Sequence, residues 1–297
     1  MTVALHEDAP AKLNLCLFLG PTRESDGRHE LVTVFQPLTV IDRVTLEAAP
    51  FGATRDEVHC PGVPGPPGAN LAAVALRAFR ERAGWHGAPV RLRIDKRIPV
   101  AAGMAGGSAD AGAALRLAAR AAGVDDDALL RDIAGWLGAD VPAQVRPARY
   151  LATGAGEALE PLPEPAGYGV LVLPADGELS TAEVYRQADR MGLARSHAEL
   201  RHHLTAVRDH GGDLPDDLIV NDLAPAARAL CPAIDEALDA LRGAGADRAL
   251  VCGSGPTVVG LFRRVEAARG AAVALGGRTP RPLLAAPWRA RAAESVR

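Results

Sequence analysis

Residues 99–112, Pro-Val-Ala-Ala-Gly-Met-Ala-Gly-Gly-Ser-Ala-Asp-Ala-Gly, constrain the fold more than any other stretch of this chain. The alternation Val90-Arg91-Leu92-Arg93-Ile94 ahead of them predicts a strand, and the Ala/Leu-rich run 113–122 behind them predicts a helix. A glycine-rich bend between strand and helix leaves backbone N–H groups uncovered by side chains, and the helix start adds the positive end of its dipole. Such a bend suits an anion, and its length favours a nucleotide's phosphates over a turn made only for close packing. Ser108 stands where it would cap the helix and offer a hydroxyl to a phosphate or its metal ion. Two familiar phosphate loops are excluded. No Lys adjoins Ser108, as Gly-x-x-x-x-Gly-Lys-Ser/Thr requires, and Gly103, Gly106 and Gly107 lack the Gly-x-Gly-x-x-Gly spacing. Ala101, Ala102 and Ala105 stand where glycine would be freer, so each is expected to avoid positive φ.

The 297 residues fit two domains, and the Pro-rich stretch 161–165 divides them into 1–160 and 161–297. In the first, strands are predicted at 3–5 and 13–19, on either side of Ala9-Pro10-Ala11-Lys12, and at 31–35 and 43–46. Residues 61–68 are too rich in Pro and Gly for strand or helix. Asn70 caps a predicted helix to about residue 82, with Leu71, Val74, Leu76 and Phe79 inward. A second helix follows at 127–137, closed by Gly138, then a short turn or helix at 140–142 and a strand at 150–153. The second domain is predicted to hold strands at 170–173, 248–252 and 258–262 and helices at 180–190, 197–208, 231–242 and 265–274. Strands and helices intermix without regular βαβ alternation, which makes the fold class α+β. The last dozen residues are expected to be peripheral.

A net charge of -3 gives no general attraction for nucleic acid or an anionic membrane. No apolar run reaches membrane-spanning length, and the N-terminus lacks a basic-then-apolar signal pattern. Cys16, Cys60, Cys231 and Cys252 lie too far apart for a zinc or redox motif, so no metal site is expected among them. A cytoplasmic protein acting on a small molecule, as monomer or homodimer, fits these features. One bias is informative: the chain has two lysines, Lys12 and Lys96, among 33 Lys and Arg. Where generic cations are written as Arg, a Lys marks a place that requires a compact ammonium.

Four segments in fixed order carry a resemblance: Ala9-Pro10-Ala11-Lys12-Leu13-Asn14-Leu15, the bend at 99–110, Gly138-Ala139-Asp140-Val141-Pro142, and Gly253-Ser254-Gly255-Pro256-Thr257. Together they resemble the GHMP kinase superfamily, which transfers the γ-phosphoryl group of ATP to small-molecule hydroxyls. With Asp-Gly-Arg-His-Glu-Leu at 26–31, they are similar to the branch that phosphorylates the 2-hydroxyl of a CDP-linked methylerythritol in the non-mevalonate route to isoprenoid precursors. The resemblance covers about residues 9–262. It implies a ribosomal-protein-S5-like first domain and a ferredoxin-like second domain, with ATP and Mg²⁺ as cofactors. It implies Lys12 and Asp140 as the catalytic pair. The ATP loop would comprise Pro99, Val100, Ala101, Ala102, Gly103, Met104, Ala105, Gly106, Gly107, Ser108 and Ala109, with Asn70 near the base and Lys96 as a further cation. Asn14, His29 and Phe35 fall on the substrate side.

The chemistry agrees with these roles. Phosphoryl transfer needs alignment and charge stabilisation; a carboxylate accepts the hydroxyl proton, and an ammonium offsets the charge on the moving group. Asp140 has a second reading, as the cap of the short segment that follows it. The sequence also departs from the family. Arg28 replaces a tyrosine, removing one aromatic wall of a cytosine slot, and Tyr185 is either the other wall or an ordinary packing residue. The family's Ser-Ser pair is Ser108-Ala109, which leaves Mg²⁺ to be held mainly by phosphates and water. Gly253, Ser254 and Gly255 form either a plain hairpin turn or an amide surface facing the substrate's phosphates. His202 and His203 read as a solvated helix face. The competing functions are a kinase for a mevalonate- or homoserine-like alcohol and a nucleotide-binding regulator without catalysis.

Overall fold

Two long strands begin the chain in the structure, a computed structural model that describes residues 4–174, 176–211, 213–278 and 280–289. Strand β1 (Leu5–Thr22) runs straight through Ala9-Pro10-Ala11-Lys12, where the sequence predicts a break. Residues 9–20 are all buried, so packing rather than a turn selects the small residues there. Strand β2 (His29–Ala48) likewise joins the segments 31–35 and 43–46. The alternation between them is hidden by Gln36 and Asp42, polar residues that are fully buried and hydrogen-bonded.

The chain continues through β3 (Glu57–His59), α1 (Leu71–Ala83), β4 (Val90–Asp95), α2 (Gly106–Ala122), α3 (Asp127–Leu137), α4 (Pro142–Val145), β5 (Tyr150–Thr153) and β6 (Ala158–Pro161). It then forms β7 (Gly169–Leu173), α5 (Thr181–Arg190), α6 (His197–His210), α7 (Ala224–Leu230), α8 (Ala233–Gly243), β8 (Arg248–Val251), β9 (Val258–Phe262), α9 (Val265–Ala274) and β10 (Leu283–Ala285). The α+β class follows from this order. Helix α2 starts at Gly106, ahead of Ser108, where the sequence predicts its cap, because glycine and serine lower helix propensity without preventing a first turn.

The chain packs as two units that interleave in sequence. One contains the residues up to Ala11, Ile41–Val100 and Ala105–Arg146; the other contains Lys12–Val40, Ala101–Met104 and the chain from Pro147 onward. The linear 160/161 boundary falls inside the second unit.

In the first unit, residues 43–48 of β2 pair antiparallel with β4, whose other neighbour, β3, is parallel. Asn70 caps α1, its side chain accepting from Ala72 N at 2.9 Å. The buried face of α1 is mostly alanine (Ala72, Ala73, Ala75, Ala78) with Leu76 and Phe79, while Leu71 and Val74 are only half-buried. It packs on an equally alanine-rich face of α2, and small residues on both helices let the axes approach. In the second unit, residues 33–35 of β2 pair with β5. A separate antiparallel sheet, ordered β10-β7-β9-β8, carries a core of Leu171, Leu173, Val184, Ile234, Leu241 and Phe262. His202 is exposed, whereas His203 is half-buried: its ring stacks on Phe18 at 4.0 Å between centroids. Of the tail expected to be peripheral, residues 290–297 lie outside the described residues.

Candidate active site

The bend at 99–105 ends where α2 begins. The first i→i−4 bond of that helix runs from Ala109 N to Ala105 O at 2.9 Å, so the N–H groups of Gly106, Gly107 and Ser108 precede it. No side chain caps this end. A Cβ built on Gly107 meets no atom within 4 Å, so the space above the helix start is open. Ser108 is therefore not the cap; it is the third helical residue, and the N-cap is Ala105. Ala105 and Ala101 adopt φ of 55° and 57°, contrary to the expectation for these alanines, whereas Ala102 does not. Holding an alanine left-handed costs roughly 1–2 kcal/mol, so the bend keeps its shape against a local preference.

Lys12 lies on β1 beside this bend, its N–H donating to Met104 O at 3.1 Å. Its side chain is buried. The ammonium donates to Asn14 Oδ1 at 2.7 Å and sits 4.9 Å from the centre of the Phe35 ring. Asn14 is oriented in turn: its Nδ2 donates to Thr33 Oγ1 at 2.8 Å, and Thr33 Oγ1 donates to Cys16 O at 2.6 Å. The second glycine turn joins the same group. A Cβ on Gly103 would collide with Cys252 O, and one on Gly253 would lie 2.9 Å from Gly103 O and 3.3 Å from Asn14 Oδ1. Both glycines have positive φ, 70° and 55°. The two glycine turns therefore meet backbone to backbone, a contact unavailable to any residue with a side chain. Ser254 Oγ is 3.0 Å from Thr181 Oγ1, and Asn221 Nδ2 donates to Gly253 O at 2.7 Å, which fixes the turn further.

Lys96, the other lysine, ends up between carboxylates. Its ammonium donates to Asp42 Oδ2 and, at 2.8 Å, to Asp110 Oδ2. Asp42 Oδ1 also accepts from Arg97 N and Ile98 N, which ties the exit of β4 to β2. A Cβ on Gly106 would fall 3.2 Å from Lys96 Nζ, so the ammonium lies close under the start of α2. Burial alone would lower its affinity for the proton; Asp110 and Asp42 outweigh this and hold it raised. Burial pushes the Asp110 carboxyl up to about 7, against the pull of Lys96 and with the help of Asp42. A carboxyl raised in this way binds its proton more tightly in the folded than in the unfolded chain. Its contribution to stability is thus full below the ordinary value of 3.8 and is lost as the pH rises to about 7. Asp110→Asn keeps an acceptor for Lys96 and removes the titration. It is expected to flatten the dependence of Tm on pH over that interval; an unchanged slope would reject the assignment.

Asp140 sits in the turn between α3 and α4. Val141, not Asp140, is the N-cap of α4, and Val141 through Val145 are buried. The capping alternative is thus not the arrangement found. Gly112 of α2 allows α4 to sit tightly against it, since a Cβ there would collide with Gln144 O, and Arg116 donates to the same carbonyl. The turn that carries Asp140 is therefore held by α2, the helix that opens at the glycine bend.

Residues 70–146 match the family of GHMP kinases N terminal domains, and residues 199–277 match GHMP kinases C terminal. A protein of Anaeromyxobacter dehalogenans strain 2CP-1 named 4-diphosphocytidyl-2-C-methyl-D-erythritol kinase is 44% identical over 91% of this chain and 84% of its own length. One of the same name from Kineococcus radiotolerans is 43% identical over 88% of this chain and 82% of its own. The chain belongs to the GHMP kinase family. Its two-domain α+β fold is also that of a crystal structure of 4-(cytidine 5'-diphospho)-2C-methyl-D-erythritol kinase. The two are 32% identical with a TM-score of 0.76, over 95% of this chain and 98% of that one. GHMP kinases are ATP-dependent small-molecule phosphotransferases, so the donor is ATP.

Within this GHMP kinase the remaining candidate residues fall into a second group. His29 is buried, with Nδ1 2.8 Å from Gly20 O and Nε2 3.0 Å from Asp189 Oδ1. Both ring nitrogens are engaged, which leaves its ring face and backbone for a ligand. Tyr185 of α5 is half-buried against the core of the second sheet, its ring 5.5 Å from that of His29. Arg28 is exposed at the β1–β2 turn, where its N–H donates to Asp26 Oδ1 at 3.1 Å. Among the described residues no three His, Cys, Asp or Glu side chains are grouped to hold a metal ion, and no helix is long and apolar enough to cross a membrane. The Asp42–Lys96–Asp110 group and the contact between the two glycine turns were not visible in the sequence. Their signal was the rarity of lysine, which marked Lys96 without naming its partners.

Proposed function

We propose that this chain transfers the γ-phosphoryl group of ATP to the 2-hydroxyl of 4-diphosphocytidyl-2-C-methyl-D-erythritol, a cytoplasmic step of the non-mevalonate route. The observation that carries the reading is the junction of the glycine bend with α2. The N–H groups of Gly106, Gly107 and Ser108 precede the first helical bond there, with open space at Gly107; within the other unit, the buried Lys12 ammonium is oriented by Asn14. The phosphates lie along residues 99–109 on those N–H groups, with Asn70 toward the base. The substrate hydroxyl attacks the γ-phosphorus, its proton passes to Asp140, and the bond to the β-phosphate oxygen breaks to release ADP. Lys12 offsets the charge gathered on the moving group, and Asn14 aims it. Phe35, His29, Tyr185 and the amides of 253–255 hold the cytidine diphosphate portion, with Arg28 at its edge. The Ser108 hydroxyl is the side-chain group of the bend that would reach a divalent cation such as Mg²⁺, which when bound would offset phosphate charge, its other ligands coming from phosphate and water.

The test is release of ADP from ATP with four acceptors in turn: the CDP-linked substrate, free methylerythritol, mevalonate and homoserine. Turnover is expected with the CDP-linked alcohol alone. Faster turnover with either of the last two would move the chain to another branch of the family.

A further inference from the structure

A groove of about 1080 Å³ opens in the first unit along β3, at the edge of the sheet, and neither Asn70, Lys96 nor any residue of the glycine bend lines it. Its wall is cationic by construction. Arg91 and Arg93, two apart on β4, share a strand face, and Arg77 and Arg80, three apart on α1, share a helix face. Arg55 enters from the loop before β3. Two of the five guanidiniums are occupied. Arg80 forms a fork with Asp56 at 2.6 and 2.8 Å and bonds three backbone carbonyls; Arg91 holds Glu57 at 2.8 and 3.0 Å. Arg55, Arg77 and Arg93 are exposed and have no carboxylate partner among the described residues. The groove thus carries three uncompensated cations beside apolar surface from the half-buried Val58 and Pro89.

We propose that this groove binds a phosphate ester, the phosphate on Arg55, Arg77 and Arg93 and the uncharged body over Val58 and Pro89. Guanidiniums match phosphate oxygens two at a time, and three without a carboxylate partner line this one groove. The volume exceeds a bare phosphate many times over and falls at the upper end of small-molecule sites, so the ligand carries a body.

The test is calorimetric titration of the full chain with phenyl phosphate and, separately, with inorganic phosphate. Phenyl phosphate is expected to bind the tighter of the two, and R55A/R77A/R93A to weaken its binding about tenfold or more. A control that removes as many exposed arginines from the second unit, R201A/R264A/R269A, is expected to keep the wild-type affinity. No saturable binding of phenyl phosphate, equal binding by the groove variant, equal loss in the control, or no preference over inorganic phosphate would each overturn the proposal. The readout is binding, so it stands or falls independently of the kinase reaction.

Discussion

Asp140→Asn is expected to lower kcat about 10²–10⁴-fold while leaving the affinity for ATP within about twofold. The range is that of a well-placed general base, because the amide keeps the shape of the carboxylate but loses its negative charge and its capacity to take a proton. The local structure makes the outcome interpretable. Asp140 does not cap α4, so the substitution forfeits none of the roughly 1 kcal/mol that a capping side chain supplies. The segment after it is buried and held to α2 at Gly112 and Arg116, which are untouched. Single-turnover measurement of phosphoryl transfer, with calorimetric titration of a non-hydrolysable ATP analogue, separates chemistry from binding. Near-normal turnover would remove Asp140 from the proton transfer. Loss of nucleotide binding with unchanged single-turnover rate would assign it to the nucleotide instead.

The candidate site was legible in the sequence wherever backbone chemistry demands particular residues. Glycine at 103, 106 and 107, followed by a small-residue helix, has few other uses, and the rarity of lysine marked the buried Lys12 and the half-buried Lys96. Less was legible where burial overrides pattern. The 9–12 segment reads as a loop because Ala-Pro-Ala lacks strand propensity, yet it is the middle of a strand whose neighbours fill the space around it. Asp42 reads as an interruption of β2, whereas its carboxylate holds β4 and Lys96 in place. The positive φ of Ala101 and Ala105 was missed for a related reason: local sterics disfavour it, and only the surrounding fold enforces it. Pairings between residues distant in sequence, such as Gly103 with Gly253, leave no local trace.

Lys12→Arg is expected to cut kcat about 10–100-fold although the charge is kept, because the loss is one of geometry. The ammonium is a point charge at the end of a buried stem, fixed by Asn14 on one side and Phe35 on the other. The Asn14 oxygen faces Lys12 because its amide nitrogen is committed to Thr33, whose own proton is committed to Cys16. A guanidinium is longer, flat and spreads its charge over several donors; to fit, it must push against a wall made by Phe35 and the Met104 strand contact. Overpacking of this kind costs about 1–3 kcal/mol, which thermal unfolding reads directly. Asn14→Leu completes the argument from the other side, keeping lysine at position 12 while removing the oxygen that aims it. It is expected to lower kcat with little change in KM for ATP. If Lys12→Arg retained full activity, a diffuse positive charge would suffice. The orientation supplied through Thr33, Asn14 and Cys16 would then be a feature of strand packing alone.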